Sequence, residues 1–268
     1  VNRLEGRTAV VTGTSPNIGG AIALGLAAEG AQVTCTDIDP DTAEACAAKI
    51  VANGGEAIAV AGDVTDPAHA EDVVARTAER WGGVDVLVNN AVQFNHKGLL
   101  EMPIEEFRRQ TDIILSGAFL FTRAVARDLI AREAPGSIVN ILSTAAWQGQ
   151  PGNIGYCTAK SGLINFTRSV AMELAAHRIR VNGFTPTATL REGPPPPGPA
   201  PAAQGFRMDF RGLHPSGRLP TAADYVPAVV FLASDDAAMI TGSNITVDGG
   251  ATAKYWPWAP GTDGGGTP

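Results

Sequence analysis

Thr8-Ala9-Val10-Val11-Thr12-Gly13-Thr14-Ser15-Pro16-Asn17-Ile18-Gly19-Gly20-Ala21-Ile22-Ala23 reads as a strand, a glycine-rich turn and the start of a helix. The β-branched run from Thr8 to Thr12 predicts the strand, and the apolar pattern from about Ile18 to Glu29 predicts the helix. Glycine is needed at such a turn where a Cβ would collide with phosphates or where φ must be positive. The helix start offers unpaired N–H groups and a positive dipole end, so Gly13, Asn17, Ile18 and Gly19 are candidates to cradle a pyrophosphate. Asn17 falls where a middle glycine is expected, and Asn tolerates the left-handed region better than most residues.

Asp37 ends the second predicted strand, Gln32 to Thr36, and lies 24 residues after Gly13. A carboxylate there accepts hydrogen bonds from both ribose hydroxyls of an adenosine and repels a 2′-phosphate. Ile38 follows it and Pro16 precedes Asn17, so neither position carries Lys or Arg. These features point to NAD rather than NADP.

The rest of the chain alternates in the same way. Strands are expected at Glu56 to Ala61, Val84 to Val88, Ser137 to Leu142, Ile179 to Phe184 and Asn244 to Val247. Helices are expected at Thr42 to Ala52, Pro67 to Trp81, Ile104 to Arg132 and Ile154 to Ala176. Alternation implies an α/β fold: a doubly wound, Rossmann-like parallel sheet with helices on both faces, in a single domain over 1–253. A Pro/Gly-rich stretch at about 185–220, including Pro194-Pro195-Pro196-Pro197, excludes helix and is read as a substrate lid. The tail at 254–268 is aromatic, then glycine-rich; its Tyr255, Trp256 and Trp258 suggest packing on a neighbouring subunit or on their own.

Of the 268 residues 44% are apolar, enough for a large core. Net charge is −7, which argues against nucleic acid as a partner. No apolar run reaches membrane-spanning length. The opening Val1-Asn2-Arg3-Leu4 lacks a signal-peptide core. Cys35, Cys46 and Cys157 fit no metal spacing, so no metal is expected and a reducing cytoplasm is the location expected.

Tyr156 and Lys160 stand four apart on a predicted helix, hence on one face. An ammonium beside a phenol favours the phenolate and lowers its pKa. Such a tyrosine exchanges a proton with an alcohol or ketone.

Together these motifs make the chain resemble the short-chain dehydrogenase/reductase family from Leu4 to Gly250. The resemblance rests on Thr12-Gly13 through Gly19, Asp63-Val64, Asn89-Asn90-Ala91, Ser143, Tyr156 with Lys160, Arg180-Val181-Asn182 with Pro186, and Val247-Asp248-Gly249-Gly250. It implies seven strands and usually a homotetramer. It implies that Asp63 and Val64 hold the adenine, that Asn90 and Ala91 line the cofactor floor, and that Pro186 and the backbone of Thr189 contact the cofactor. Lys160 would hydrogen-bond the nicotinamide ribose, Ser143 the substrate oxygen, and Tyr156 would act as general acid/base in hydride transfer. The chain departs from the family at Ile114, where many members carry Asn, at Val92 and Thr187, where Gly is usual, and at Arg191, which aligns with a Thr.

The substrate pocket is expected from Ala145, Ala146 and Trp147, from Gln93, Phe94, Asn95 and His96, and from the lid. Phe94 and Trp147 suggest an apolar or aromatic secondary alcohol or ketone; His96 reads as a solvated loop residue. Alternatives are a 3-oxoacyl thioester reductase, an NAD-binding sensor on the same fold with little turnover, and a lyase or dehalogenase on the same scaffold.

Overall fold

The computed structural model describes residues 2–190 and 214–255. Most of the expected lid (191–213, with Arg191 and the four prolines) and of the tail (256–268) therefore lies outside the described residues. Seven parallel strands run β1 (Thr8–Thr12), β2 (Gln32–Thr36), β3 (Glu56–Ala59), β4 (Val86–Asn89), β5 (Gly136–Ile141), β6 (Ile179–Pro186) and β7 (Asn244–Val247). Their spatial order is β3-β2-β1-β4-β5-β6-β7, so the order reverses between β1 and β4. A crevice opens beyond the strand ends at such a reversal.

Alternation along the strands sorts the core into two layers. Ala9, Val11, Val33, Cys35, Val86, Val88, Val139 and Ile141 face α1 (Ile18–Ala28), α2 (Pro40–Ala52) and α7 (Val226–Ala233). Val10, Leu87 and Ile138 face the opposite way, towards α3 (Pro67–Trp81) and α5 (Gly117–Ala131). Both α2 and α3 start on an aspartate cap followed by proline: Asp39 accepts from Asp41 N and Asp66 from Ala68 N.

Two helical expectations need correction. The single helix expected over 104–132 is divided into α4 (Ile104–Thr111), a π-helical turn (Asp112–Ser116) and α5. One wide turn inside an otherwise regular helix is often found at functional sites. Helix α7 was not anticipated, because Val-Pro-Ala-Val-Val-Phe-Leu-Ala is apolar on every side and carries no period. It packs so closely on α1 that a Cβ at Gly25 would lie 2.2 Å from Val226 Cγ1. Strand boundaries differ by up to two residues from those expected at β3, β4 and β6. Among the described residues no helix is long and apolar enough to cross a membrane.

A buried polar chain ties the sheet to α5 and α6 (Ile154–Leu174). Asn89 and Asn140 are register partners on β4 and β5, and Asn89 Nδ2 donates to Asn140 Oδ1 at 2.8 Å and to Thr122 Oγ1 at 3.1 Å. Asn140 Nδ2 donates to Thr167 Oγ1 at 2.9 Å, which in turn donates to the Leu163 carbonyl. An Asn140→Ala variant strips partners from two enclosed groups. Urea denaturation is expected to show a loss of about 1–3 kcal/mol; an unchanged midpoint would mean the chain contributes nothing to stability.

Candidate active site

Every expected site segment leaves the C-terminal end of a strand. Gly13 follows β1 with φ +71°, a conformation that glycine adopts without strain. A Cβ on Gly13 would lie 2.8 Å from Ala91 Cα, and one on Gly19 would lie 1.9 Å from the Gly13 carbonyl oxygen. Asn90 Nδ2 donates to the Thr12 and Gly13 carbonyls (3.1 and 2.7 Å), and Thr12 Oγ1 accepts from the N–H of Asn90 and of Ala91 (3.0 and 3.1 Å). Asn90 thus fixes the turn, a role its sequence position did not suggest. Asn17 has φ −147°, so its tolerance of the left-handed region is not used. No side chain caps α1 and its first turn, starting at Ile18, carries no acid. The positive end of the helix is left for an external anion, and the glycine cradle fits a pyrophosphate.

Asp37 lies just past β2, half-buried, and accepts from Asp39 N at 3.2 Å. Burial raises its pKa. Ile38 beside it is 63% exposed. Asp63 Oδ1 accepts from Thr65 N and Oγ1, and Oδ2 accepts from Arg109 Nη2 at 2.6 Å. Desolvation would raise this carboxyl, but the Arg109 and Thr65 bonds hold it below its ordinary value. Arg109 is a site neighbour the sequence reading missed; on α4 it had no motif to mark it. Val64 turns inward and sits against Gly117, where a Cβ would lie 3.0 Å from its Cγ2.

Ser143 follows β5, is 8% exposed, and accepts from Ala145 N at 3.1 Å. Its hydroxyl lies near enough to the phenol of Tyr156, in the first turn of α6, to favour the ionised phenol. Lys160 is 2% exposed; its Nζ lies 5.8 Å from the centroid of the Tyr156 ring and donates to the Ile141 carbonyl. The expectation that Lys160 brings the phenol down is corrected here. Burial pushes Tyr156 up to about 12, against the neighbouring Ser143 hydroxyl, and pushes Lys160 down to about 7. The ammonium addresses a backbone carbonyl rather than the phenol, and enclosure disfavours both charged forms.

Behind Lys160 lies a cavity of about 10 Å³, lined by Asn89, Ala91, Ile114, Gly117 and Phe121 among others. That is about the room one water needs. Ile114, in the π-helical turn, presents alkyl surface there.

The Phe94 ring lies against Tyr156 at 4.7 Å between centroids, tilted by 43°, and His96 stacks on Phe94 at 6.1 Å. His96 is exposed in its loop, as expected, while its ring extends an aromatic row, and it holds φ +51°. The segment is anchored by Asn95 Nδ2 to Glu106 Oε2 (2.9 Å) and by the Lys97–Glu106 ion pair. Trp147 is 48% exposed and lines a cavity with Leu142, Ile164, Thr167 and Asn244 rather than with Phe94 and Tyr156, and Ala146 is buried beside half-buried Ala145.

Pro186 closes β6 opposite Val247. The Thr189 hydroxyl donates to the Thr187 carbonyl at 2.8 Å and lies 2.9 Å from the phenol of Tyr225. Tyr225, fully buried, holds this segment and was also missed from sequence because it belongs to the unanticipated turn before α7.

The family model described as "Enoyl-(Acyl carrier protein) reductase" matches residues 13–252. The chain is 39% identical over 248 residues to an L-rhamnose 1-dehydrogenase (NAD(P)(+)) of Sphingomonas sp. (strain SKA58), covering 92% of this chain and 96% of the relative. It is 37% identical over 249 residues to a 3-oxoacyl-[acyl-carrier-protein] reductase of Synechocystis sp. (strain ATCC 27184 / PCC 6803 / Kazusa), covering 92% and 97%. A crystal structure of a short-chain type dehydrogenase/reductase from Mycobacterium marinum superposes with a TM-score of 0.84 at 30% identity, over 94% of this chain and 97% of that one.

The enclosed lysine has a consequence for pH. Unfolded Lys160 keeps its proton to near 10.5, whereas the folded group releases it near 7. Between these values the unfolded state binds more protons, so this group makes stability rise with pH, by at most about 1.4 kcal/mol per unit. Below pH 7 both states are protonated and the slope vanishes. Denaturation of the protein and of Lys160→Met across this range is expected to show the rise only in the parent; parallel curves would refute it.

Proposed function

The chain belongs to the short-chain dehydrogenase/reductase family, and on that premise we propose that it is an NAD-dependent dehydrogenase of secondary alcohols, working reversibly as a ketoreductase. It is an oxidoreductase acting on CH–OH groups. The observation that carries the reading is the grouping of Ser143, Tyr156 and Lys160, with Lys160 Nζ 5.8 Å from the Tyr156 ring centroid, on the same strand-end crevice as the glycine cradle.

Gly13, Asn17, Ile18 and Gly19 hold the pyrophosphate, and Asp37 accepts from the ribose hydroxyls at the adenosine end. Neither Pro16 nor Ile38 offers a charge for a 2′-phosphate, which supports NAD. Asp63, Val64, Asn90 and Ala91 form the floor. Asp63 does so through a carboxylate already held by Arg109, and Asn90 through the turn it fixes. Pro186 and Thr189 close the nicotinamide end, and Lys160 reaches the nicotinamide ribose. The bound nicotinamide supplies the hydride acceptor or donor and, when oxidised, a positive charge beside the phenol.

Ser143 Oγ holds the substrate oxygen. Tyr156 receives the hydroxyl proton in oxidation and returns it in reduction. A phenol resting near 12 is ready as an acid at neutral pH and serves as a base only once ionised. Ser143 favours that ionised form. Phe94 and Ala145 make an apolar wall suited to an aryl or alkyl ketone. Cytoplasmic location and a homotetramer complete the proposal.

A second reading, reduction of a 3-oxoacyl thioester, is supported by the family model and the Synechocystis relative. The L-rhamnose relative adds sugars to the panel to be tested. A sensor with little turnover is supported by Ile114 alone, and Ser143, Tyr156 and Lys160 together speak against it.

Absorbance at 340 nm, followed with NAD⁺ and NADP⁺ against aryl and cyclic alcohols, sugars and a 3-hydroxyacyl thioester, separates these readings. NAD⁺-dependent turnover is expected, falling about 10²–10⁴-fold in Tyr156→Phe. Oxidation is expected to quicken with rising pH and reduction to slow, because only the ionised phenol accepts a proton. NADH binding without turnover on any substrate would favour the sensor. Joint replacement Asp37→Ala and Ile38→Arg is expected to move preference towards NADP⁺; unchanged preference would remove Asp37 from the ribose role.

A further inference from the structure

Two enclosed thiols meet between β2 and α2, and the hydride chemistry uses neither. Thr34 and Thr36 of β2 face α3, where they bond Thr77 and His69 at 2.8 Å each. The intervening Cys35 therefore points the other way, with Val33, into the layer that holds α2. On α2 the buried positions are Ala43, Cys46, Ala47 and Ile50, one stripe at helical spacing. The two stripes meet at the cysteines, which lie in one buried cluster and are near enough to perturb each other's titration.

Their access to solvent differs. Cys35 is fully buried, whereas Cys46 keeps 8% exposure and forms part of the wall of an open cavity of about 670 Å³. Thr14, Pro16 and Asn17 of the glycine turn line the same cavity, as does Lys49. A small reagent entering there reaches the Cys46 sulfur first. The neighbouring Cys35 thiol, foremost, and the Lys49 ammonium hold the Cys46 thiol below its ordinary pKa against desolvation. Cys35 is pushed up by its Cys46 neighbour and by burial. One thiol is thus prepared to attack and the other waits behind it as a protonated partner.

We propose that Cys46 and Cys35 form a peroxide-oxidisable dithiol, with Cys46 oxidised first and Cys35 resolving it into an intrachain disulfide. The Cys46 thiolate attacks one peroxide oxygen, the O–O bond breaks, and the departing hydroxide takes a proton to become water. Cys46 is left as a sulfenic acid, oxidised by two electrons. Cys35 sulfur then attacks Cys46 sulfur; the S–S bond forms, the S–O bond breaks, and a second water leaves with the Cys35 proton. In sum, two thiols lose two hydrogen atoms and one hydrogen peroxide becomes two waters.

The crosslink joins β2, two residues before Asp37, to the helix beside the glycine turn. It draws α2 onto the strand beneath the adenosine end of the crevice and weakens NADH binding. That consequence rests on the dinucleotide reading; the disulfide itself does not.

The test treats the full chain with hydrogen peroxide, blocks remaining thiols with iodoacetamide, and maps the digested peptides by mass. The expected product is a Cys35–Cys46 linked peptide, lighter by two hydrogens and reversed by dithiothreitol, with Cys157 still alkylated. In Cys35→Ala the reaction is expected to stop at a Cys46 sulfenic acid that dimedone traps. Both thiols remaining alkylatable, or a link from either to Cys157 or to another chain, would overturn the proposal. Should the alanine variants fail to fold, the parent peptide map alone decides.

NADH fluorescence titration of the linked protein is expected to give a Kd raised about fivefold or more, with no change in peroxide-treated Cys46→Ala. An equal Kd before and after complete linkage would refute the coupling. No NADH binding by the reduced protein would refute the dinucleotide reading instead.

Discussion

The carboxamide of Asn90 holds together the two strand ends on which the crevice is built. Its nitrogen donates to the carbonyls of Thr12 and Gly13, while Thr12 returns a hydroxyl oxygen to the N–H groups of Asn90 and Ala91. Four hydrogen bonds therefore lock the exit of β4 onto the exit of β1 where the strand order reverses. The lock explains the glycines as much as they explain it. Gly19 packs so near the Gly13 carbonyl and the Asn90 amide that any Cβ would push the turn off its partner. An anion cradle made of backbone is only as well placed as the groups that hold the backbone still.

The opposite half of the crevice depends on a second polar device. Thr122, Asn89, Asn140 and Thr167 run in a row through the core from α5 to α6, crossing two strands. The row pins α6 to the sheet just below Lys160. An ammonium so enclosed is costly to charge, and Lys160 has one backbone carbonyl, that of Ile141, as its bonded partner. The π-helical turn opposite it brings Ile114 rather than a polar group to the small cavity behind the lysine. The acid–base pair is therefore tuned first by desolvation, and a ligand that adds charge to the crevice has a large lever on both groups.

Much of this was legible in the residues. Strong β-branched runs and helical periods placed all seven described strands and, with 104–132 read as one helix, the regions of α1 to α6, since alternating apolar patterns rarely have a second reading. The strand-end candidates came from short motifs whose spacing carries geometry, and the structure brings Gly13, Asp37, Asp63, Asn90, Ser143 and Tyr156 to one edge of the sheet. What escaped was set by three-dimensional neighbours. Helix α7 has no polar face to give it a period. Arg109 and Tyr225 act through partners 46 and 36 residues away. The π-helical turn leaves the helical composition of its residues unchanged. The direction of the Tyr156 shift was misread because a pairwise charge argument ignored burial, which is larger here than the pair interaction.

The segment that leaves the fold at Leu190 and returns at His214 begins and ends on firm ground. Leu190 N bonds the Pro220 carbonyl, His214 Nδ1 lies 2.8 Å from the Asp248 carbonyl, and Ser216 N bonds the carbonyl of Gly249. Asp248 is itself held by Gly250 and Thr252. Both gateposts are thus fastened to the frame. Closing a longer or shorter run between fixed posts changes the free energy slowly, by about 0.6 kcal/mol per doubling of length. A change in the number of residues between these posts therefore costs the described frame little, as one exchanges a tool in a chuck without rebuilding the lathe.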